Sequence, residues 1–292
     1  MTMNFTNLDK LYWEKEKITK GDVIEYYAKM APYMLPYLKN RPLVLKRYPN
    51  GISGESFYQK DAGKGAPDFV KTATVQHGSK KVCYIVVQNV KSLLYVANLG
   101  SIELHILNSP VKNLSYPTYL VLDLDPEAIG FNAVIETALV LHDILEKIGL
   151  PNYCKTSGAT GLHIYIPLGS KYDYKTARHF AEVLADIAHR EIPKITSLER
   201  MPKKRQKKVY IDCLQNEFGQ IMVCPYSLRA RQRAPVSTPV SWEELKKGID
   251  PLEFNMQTIF KRLARKKDLF KPVLGKGADL EKAFRKLTLI RA

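Results

Sequence analysis

The 292-residue chain lacks the features that mark secreted, zinc-binding and membrane-spanning proteins. Its four cysteines form no Cys-x-x-Cys pair and no cysteine-histidine pattern with zinc-ligand spacing, so we expect small buried thiols in a reducing compartment. No apolar run approaches the ~20 residues of a membrane-spanning helix, and the first residues do not resemble a signal peptide. The sequence also contains no internal repeat. We therefore expect a soluble protein of the cytoplasm, with no membrane partner.

Acidic residues are scarce relative to basic ones. The chain has 45 Lys and Arg against 29 Asp and Glu, which gives a formal net charge of +16. Such an excess predicts a polyanionic partner, most simply nucleic acid, although general basicity or a membrane surface would also explain it. The hydrophobic content of 45% can build a substantial core, and the length allows one elaborated domain or two fused modules.

A predicted strand, Tyr119–Pro126, carries Asp123 and Asp125. Side chains two residues apart point to the same face of a strand, and two like charges on one face repel each other unless a cation lies between them. The pattern therefore predicts a metal site with carboxylate oxygen ligands. The alternative is a strand that runs into a turn at Pro126, with both acids solvated.

A third aspartate, Asp212, lies in the middle of a predicted strand between Ile211 and Cys213. An unpaired charge in such a strand would cost several kcal/mol if it were buried. Together with Asp123 and Asp125 it would complete a three-carboxylate set for two Mg²⁺ or Mn²⁺ ions, the arrangement used in two-metal nucleotidyl transfer. A run of basic residues precedes Asp212 in the sequence and can bind a triphosphate and a template. It comprises Lys203, Lys204, Arg205, Lys207 and Lys208.

A glycine turn in the segment 155–168 clusters Ser157, Thr160 and His163. Gly158 and Gly161 permit a tight turn whose N–H groups can face an anion, which in outline is a phosphate nest. The segment is neither a Walker loop nor a dinucleotide fingerprint. A plain β-hairpin would explain the glycines but not the clustering of the hydroxyls and the histidine.

Several further elements follow from local patterns. Thr19 and Ser241 are predicted helix N-caps, the latter within a capping box. Phe57 and Tyr58 follow a basic strand, 41–49, and form a stacking platform if exposed or part of the core if not. The remaining predictions are a strand at 101–107 with Glu103 and His105 on one face, helices at 131–148 and 176–190, a hairpin of 209–214 with 220–224, and a helix start at Asp250-Pro251.

From about residue 7 to 245 the chain resembles a known family through segments that occur in order and at family spacing. The matching segments are 45–49, 54–60, 99–105, 122–126, 155–168, 209–216 and 223–231. They are similar to the polymerase domain of bacterial ligase D and its stand-alone relatives in the archaeo-eukaryotic primase superfamily, which act in non-homologous end joining. The resemblance implies an α+β fold whose catalytic core is an antiparallel sheet like that of an RNA-recognition motif, joined to an N-terminal α/β region.

The resemblance also implies roles for individual residues. Asp123, Asp125 and Asp212 match metal ligands, and His105 matches an active-site histidine without an assigned role. The positions that match contacts to the nucleotide or its phosphates are Lys46, Ser157, Thr160, His163, Arg205, Gln215 and Arg229. The positions that match contacts to DNA are Lys10 and Lys20, which form a pocket for a 5′-phosphate, and Phe57 and Tyr58, which lie in the region that stacks on the template. Some relatives carry lysine in place of Thr160, so that contact would be missing or supplied by Lys155.

The expected activity is that of a DNA-end-repair primase-polymerase, with nucleoside triphosphates, 5′-phosphorylated DNA, Ku and a separate ATP-dependent DNA ligase as partners. We expect one domain, 1–292, with a DNA-end-binding region at about 1–100, a catalytic core at about 101–240 and C-terminal helices at about 241–292; the flanks are too short for a ligase or nuclease. One alternative is a DNA-end-binding scaffold without activity. Another is a haloacid-dehalogenase-type phosphatase, which Pro126-Glu127 after the Asp-x-Asp disfavours.

Overall fold

The computed structural model describes residues 3–291. Within this range the backbone forms fourteen strands and seven α-helices. In chain order they are β1 (Leu11–Trp13), β2 (Ile18–Thr19), α1 (Lys20–Leu38), β3 (Leu43–Arg47), β4 (Phe57–Gln59), β5 (Lys71–His77), β6 (Lys80–Val86), α2 (Val90–Asn98), β7 (Ser101–Leu107), β8 (Tyr119–Pro126), α3 (Phe131–Ile148), β9 (Tyr153–Thr156), β10 (Leu162–Pro167), α4 (Tyr174–Glu191), β11 (Thr196–Ser197), β12 (Val209–Asp212), β13 (Ile221–Val223), β14 (Pro239–Val240), α5 (Trp242–Lys247), α6 (Ile259–Lys266) and α7 (Leu280–Arg291).

The chain divides into two compact units that are interleaved in sequence. The first unit comprises Met1–Lys112, Ile221–Thr238 and Leu252–Lys267. The second comprises Asn113–Gln220, Pro239–Pro251 and Asp268–Ala292. The segment that we expect to form the catalytic core, 101–240, therefore contributes strands to both units.

The first unit contains an antiparallel sheet with the strand order β13-β7-β3-β6-β5, and β4 pairs with the edge of β3. Helix α1 begins where predicted, because the Thr19 side chain accepts a hydrogen bond from the Asp22 N–H and the Asp22 carboxylate accepts one from the Thr19 N–H. Its tyrosines are anchored in the core, since the Tyr27 hydroxyl donates to the Ile102 carbonyl at 2.6 Å. Strand β7 is buried along its whole length.

The second unit contains a sheet with the order β11-β12-β8-β10-β9-β14. Its pairs are antiparallel except for the parallel pair of β11 with β12. Strand β8 lies between β12 and β10, which explains why Leu120, Leu122 and Leu124 are fully buried. Helices α3 and α4 pack against it, and α3 ends as predicted at Gly149, whose φ of 72° is the left-handed conformation that favours glycine.

The predicted hairpin of 209–214 with 220–224 is wrong. Strand β12 pairs with β8, whereas β13 pairs with β7 in the other sheet. After β12 the chain turns through a short 3₁₀ segment, and the Asn216 amide bonds both the N–H and the carbonyl of Val121, at 2.8 and 2.7 Å. These two hydrogen bonds attach the turn after β12 to β8, and the segments 209–214 and 220–224 do not pair with each other.

The helix starts near the C-terminal end have different outcomes. Ser241 forms the predicted capping box with Glu244 and begins α5. The predicted start at Asp250-Pro251 produces only a 3₁₀ turn, Pro251–Glu253. No helix within residues 3–291 is long and apolar enough to cross a membrane. The mixed architecture with antiparallel sheets confirms the expected α+β class.

Candidate active site

The three predicted metal ligands lie on one face of the sheet in the second unit. Asp212 on β12 is directly opposite Asp123 on β8, and Asp125 is opposite Tyr210. Directly opposed residues of an antiparallel pair share a face, and so do residues two apart on one strand. The strand register therefore brings together carboxylates that are 87 positions apart in the sequence, since 212 − 125 = 87.

The electrostatics of this face favour a cation. Asp123 is buried, and Asp212 is partly exposed. Burial raises the pKa of Asp212, and the nearby Asp123 carboxylate raises it further. The opposing effect comes mainly from the Leu214 N–H, which donates to Asp212 Oδ1 at 2.7 Å. The site therefore holds two carboxylates that repel each other, a condition that a bound cation would relieve.

The donor set has the right chemistry for Mg²⁺ or Mn²⁺, which prefer carboxylate oxygens. Within the part of the chain that the structure describes, however, no three His, Cys, Asp or Glu side chains converge closely enough to enclose an ion. The strands fix the backbone positions of Asp123, Asp125 and Asp212. An ion at this face would require the three short side chains to draw closer together.

The glycine turn between β9 and β10 is closed by its own serine. The Ser157 hydroxyl oxygen accepts hydrogen bonds from the N–H groups of Ala159 and Gly161, both at 3.0 Å. These two N–H groups therefore face Ser157 instead of the anion that the predicted nest would hold. Gly161 is required here, because a Cβ at this position would lie 2.3 Å from the Leu124 carbonyl oxygen of β8. Thr160, at the tip, is exposed.

His163 lies between a lysine and a predicted metal ligand. Its Nε2 is 3.2 Å from Asp123 Oδ1, and its Nδ1 is 2.8 Å from the Nζ of Lys155. The Lys155 side chain is fully buried and supports the imidazole from behind. Its ammonium therefore contacts His163 inside the unit and does not reach the exposed tip of the turn where Thr160 lies.

Two further predicted nucleotide contacts lie beside β12. The Arg205 guanidinium stacks 4.0 Å from the centroid of the Tyr210 ring and donates to the carbonyl of Glu199 at 3.1 Å. The Gln215 amide lies 3.4 Å from Asp212 Oδ2. Both side chains are thus held near the carboxylate strand.

The first unit contains the other two predicted nucleotide contacts, Lys46 and Arg229, and the predicted active-site histidine, His105. Lys46 on β3 pairs in register with Glu103 on β7, and His105 is opposite Val44. The His105 Nε2 and the Arg229 Nε each lie 3.1 Å from Glu103 Oε2. Sequence reasoning placed Glu103 beside His105 but did not assign it a role.

The two predicted phosphate-pocket lysines line one cavity of about 300 Å³ in the first unit. Arg47 lines the same cavity, although sequence reasoning did not single it out. Burial lowers the pKa of Lys20, and the charges of Lys10 and Arg47 lower it further. The Lys20 ammonium donates to the Thr6 carbonyl at 2.7 Å. The cavity therefore gathers three cations, which suits an anionic ligand.

Phe57 and Tyr58 are exposed, at 47% and 53% of their full surface, which excludes the alternative that they belong to the core. They lie on the short strand β4, where Arg47 lies 5.2 Å from the Phe57 ring centroid and Lys46 lies 5.4 Å from that of Tyr58. Proteins that bind single-stranded nucleic acid stack its bases on exposed aromatic rings that lie beside cations.

Comparison with known proteins identifies the family. A model of the LigD primase-polymerase domain matches residues 19–270. The chain belongs to this family. Membership makes it a nucleotidyltransferase of the primase-polymerase type, and it confirms the resemblance that the motifs indicate.

Two relatives are bacterial end-joining proteins. The chain is 35% identical over 265 residues to the bifunctional non-homologous end joining protein LigD of Bacillus subtilis, covering 90% of this chain and 43% of the relative. It is 32% identical over 278 residues to the multifunctional LigD of Mycobacterium tuberculosis H37Rv, covering 91% of this chain and 36% of the relative. The chain thus spans less than half the length of these curated relatives.

The LigD polymerase domain also provides a structural match. The polymerase domain of Mycobacterium tuberculosis ligase D, solved in complex with DNA, superposes with a TM-score of 0.87 at 30% identity. The match covers 95% of this chain and 99% of that one. The fold described above is therefore that of the LigD polymerase domain.

Proposed function

We propose that the protein is a DNA-end-repair primase-polymerase, which adds ribo- or deoxyribonucleotides to 3′ ends and fills gaps at 5′-phosphorylated breaks during non-homologous end joining. One observation carries this proposal: Asp123, Asp125 and Asp212 share one face of the paired strands β8 and β12. The LigD relatives, named for non-homologous end joining, provide the pathway.

Asp123, Asp125 and Asp212 are the residues that would hold Mn²⁺ or Mg²⁺. When bound, two such ions would activate a 3′-hydroxyl for attack and stabilise the leaving pyrophosphate. The protein's own groups would bind and orient the nucleotide. On the family resemblance these groups are Lys46, Ser157, Thr160, His163, Arg205, Gln215 and Arg229, and His105 is an active-site histidine.

The first unit would recognise the DNA. Lys10 and Lys20, together with Arg47, would bind a 5′-phosphate in the cavity that they line. Phe57 and Tyr58 would stack on template bases, because both rings are exposed. The net charge of +16 would add sequence-independent affinity that falls with salt.

The wider pathway follows from the relatives. Their names describe bifunctional and multifunctional end-joining proteins of which this chain matches less than half. We propose Ku as the partner that holds the broken end and an ATP-dependent DNA ligase as the enzyme that seals it. The site of action would be DNA breaks in the nucleoid.

A gapped duplex distinguishes the polymerase from its alternatives. The protein is incubated with a gap bearing a 5′-phosphate, Mn²⁺ and labelled ribonucleotides, and the products are resolved by length. We expect extension of the 3′ end by single nucleotides. Release of phosphate without extension would support a phosphatase, and a gel shift without extension or phosphate release would support a scaffold.

A further inference from the structure

Glu103 is a charged side chain in the middle of a buried strand. Every residue of β7 is buried, and Glu103 retains 3% of its accessible surface. A carboxylate is costly to bury unless it is paired and hydrogen-bonded, and apolar replacements of buried ion pairs are often at least as stable. Stability alone therefore does not account for an acid at this position.

The two carboxylate oxygens of Glu103 have different partners. Oε2 lies 3.1 Å from His105 Nε2 and 3.1 Å from Arg229 Nε. Oε1 accepts hydrogen bonds from the Tyr48 hydroxyl at 3.3 Å and from the Ala230 N–H at 3.2 Å. One oxygen therefore contacts the predicted active-site histidine and a predicted nucleotide-binding arginine, and the other is attached to the surrounding structure.

The carboxylate is ionised. Burial raises the pKa of Glu103, but the hydrogen bond from His105 and the charges of Arg229 and Lys46 outweigh it and hold the pKa at about 2. An ionised carboxylate only accepts hydrogen bonds. The nitrogen that faces it, His105 Nε2, must therefore carry a proton.

The opposite nitrogen of the ring follows from this contact. Burial and the charges of Arg229 and Lys46 lower the pKa of His105 by more than the contact with Glu103 raises it, which favours the neutral imidazole. A neutral imidazole with its proton on Nε2 has a bare Nδ1, which is a hydrogen-bond acceptor. Such a nitrogen can bond a hydroxyl or amino group, whereas a phosphate oxygen, itself an acceptor, would have no proton to share with it.

We propose that Glu103 is a positioning residue for nucleotide binding: it holds His105 as the neutral Nε2–H tautomer and forms an ion pair with the Arg229 guanidinium. The inference rests on the proposed function, in which Arg229 contacts the incoming nucleotide and His105 lies in the active site. It adds that His105 contacts a hydroxyl or amino group of the nucleotide and not its triphosphate.

Nitrogen NMR of the wild-type protein tests the tautomer without any activity. With ¹⁵N-labelled histidine, the ring signals of His105 are assigned by their loss in His105→Gln. We expect a protonated Nε2 and an unprotonated Nδ1 at neutral pH. A proton on Nδ1, alone or together with one on Nε2, would overturn the proposal even if the enzyme extends primers normally.

Two variants that lose different contacts of the same carboxylate test the positioning role. Glu103→Gln keeps the shape of the side chain but places either an amide N–H₂ or a single oxygen toward His105. We therefore expect His105 to lose its single tautomer. The KM for nucleotide should rise about tenfold, with kcat changed less. Tyr48→Phe removes only a bond to Oε1, so we expect the tautomer to be retained and KM to change less than about twofold.

The outcomes separate this inference from the proposed function. Equal effects of Glu103→Gln and Tyr48→Phe on KM would overturn the positioning role, because they would show a general loosening of the buried acid. Thermal unfolding identifies a variant that fails to fold, in which case the wild-type tautomer decides. If the wild type incorporates no nucleotide, the proposed function fails, and the NMR result still shows whether Glu103 sets the tautomer.

Discussion

Each of the two units brings charges of one sign close together, negative in the second unit and positive in the first. In the second unit, burial and the Asp123 carboxylate raise the pKa of Asp212. In the first unit, burial and the charges of Lys10 and Arg47 lower the pKa of Lys20. Each shift reflects a charged form that is disfavoured where it stands. The difference in sign matches the ligand that we propose for each site, a metal cation in one case and a phosphate in the other.

The two sites also differ in how the charges are brought together. Strand pairing fixes the aspartates, because Asp212 and Asp123 are opposed in the β8–β12 register. The cations instead come from three separate segments of the chain. Lys10 precedes β1, Lys20 begins α1 and Arg47 ends β3. The strands fix the backbone positions of the short aspartates, whereas long lysine side chains can adapt to a ligand over a wider range. We therefore expect substitutions at the acidic face to have the larger effects.

The sharpest test of the acidic face is Asp123→Asn. This change keeps the size of the side chain but removes a charge from the proposed metal site, so we expect nucleotide incorporation to fall by at least about 10³-fold. Affinity for 5′-phosphorylated DNA, measured by fluorescence anisotropy, should stay within about twofold. Asp143→Asn is the matched control, because Asp143 is exposed on α3 of the same unit. Incorporation at the wild-type rate by Asp123→Asn would refute the metal assignment.

The cationic cavity is tested by Lys20→Met. Loss of one charge-assisted contact should reduce the preference for a 5′-phosphate over a 5′-hydroxyl end by about tenfold. The preference is the ratio of two dissociation constants measured at one salt concentration, because phosphate contacts depend on ionic strength.

Lys29→Met provides the control for this cavity. Lys29 lies on the same helix, is exposed and pairs with Glu25, so its loss should leave the ratio unchanged. Arg47→Met should act like Lys20→Met, since Arg47 lines the same cavity. If the ratio survives both Lys20→Met and Arg47→Met, the cavity is not the phosphate site, and only the acidic half of the comparison stands.

Local sequence patterns predict the acidic face better than the cationic one. The alternation of 119–126 places Asp123 and Asp125 on one side of a strand, and this requires only a period of two. The third ligand, Asp212, is predicted in the middle of a strand, but it is the last residue of β12, and its register against β8 is set by the whole sheet. Local patterns are silent on the partner strand, which is why the predicted hairpin of 209–214 with 220–224 is wrong.

Contacts between distant segments account for the residues that sequence reasoning does not find. Glu103 and Arg229 are 126 positions apart, since 229 − 103 = 126, and only the folded first unit shows that they meet. Arg47 is adjacent to Lys46 in sequence, yet it lines the cavity of Lys10 and Lys20. The family resemblance transfers Lys10 and Lys20 by motif, but the charge environment of the pocket depends on the folded structure.

The exposed aromatic pair offers a smaller effect on a different contact, the stacking of template bases. Phe57→Ala and Tyr58→Ala should each weaken binding to a template overhang by about fivefold, near the lower end of the range for base stacking. Neither should change the thermal unfolding temperature much, because both rings are exposed. Val90→Ala, which alters an exposed apolar residue of α2, is the control. Equal weakening on duplex DNA without an overhang would contradict a stacking role.

The smallest expected effect concerns stability and returns to the crowded carboxylates. Because the pKa of Asp212 is raised in the folded protein, the folded state binds more protons than the unfolded state between the two pKa values. Stability contributed by the protonated form is therefore lost as the pH rises through this window, and at pH 7 the ionised Asp212 is a net cost. Asp212→Asn removes the charge and keeps an acceptor for the Leu214 N–H.

In metal-free buffer at pH 7 we expect Asp212→Asn to unfold about 1–3 °C above the wild type, a modest gain because solvent screens a partly exposed group. The gain should vanish below about pH 3, where an aspartate is protonated in both states. Added Mn²⁺ should raise the unfolding temperature of the wild type more than that of the variant, since the ion stabilises only a site with its carboxylates intact. A variant less stable than the wild type at pH 7, with or without Mn²⁺, would show that the hydrogen bonds of Asp212 outweigh its repulsion by Asp123.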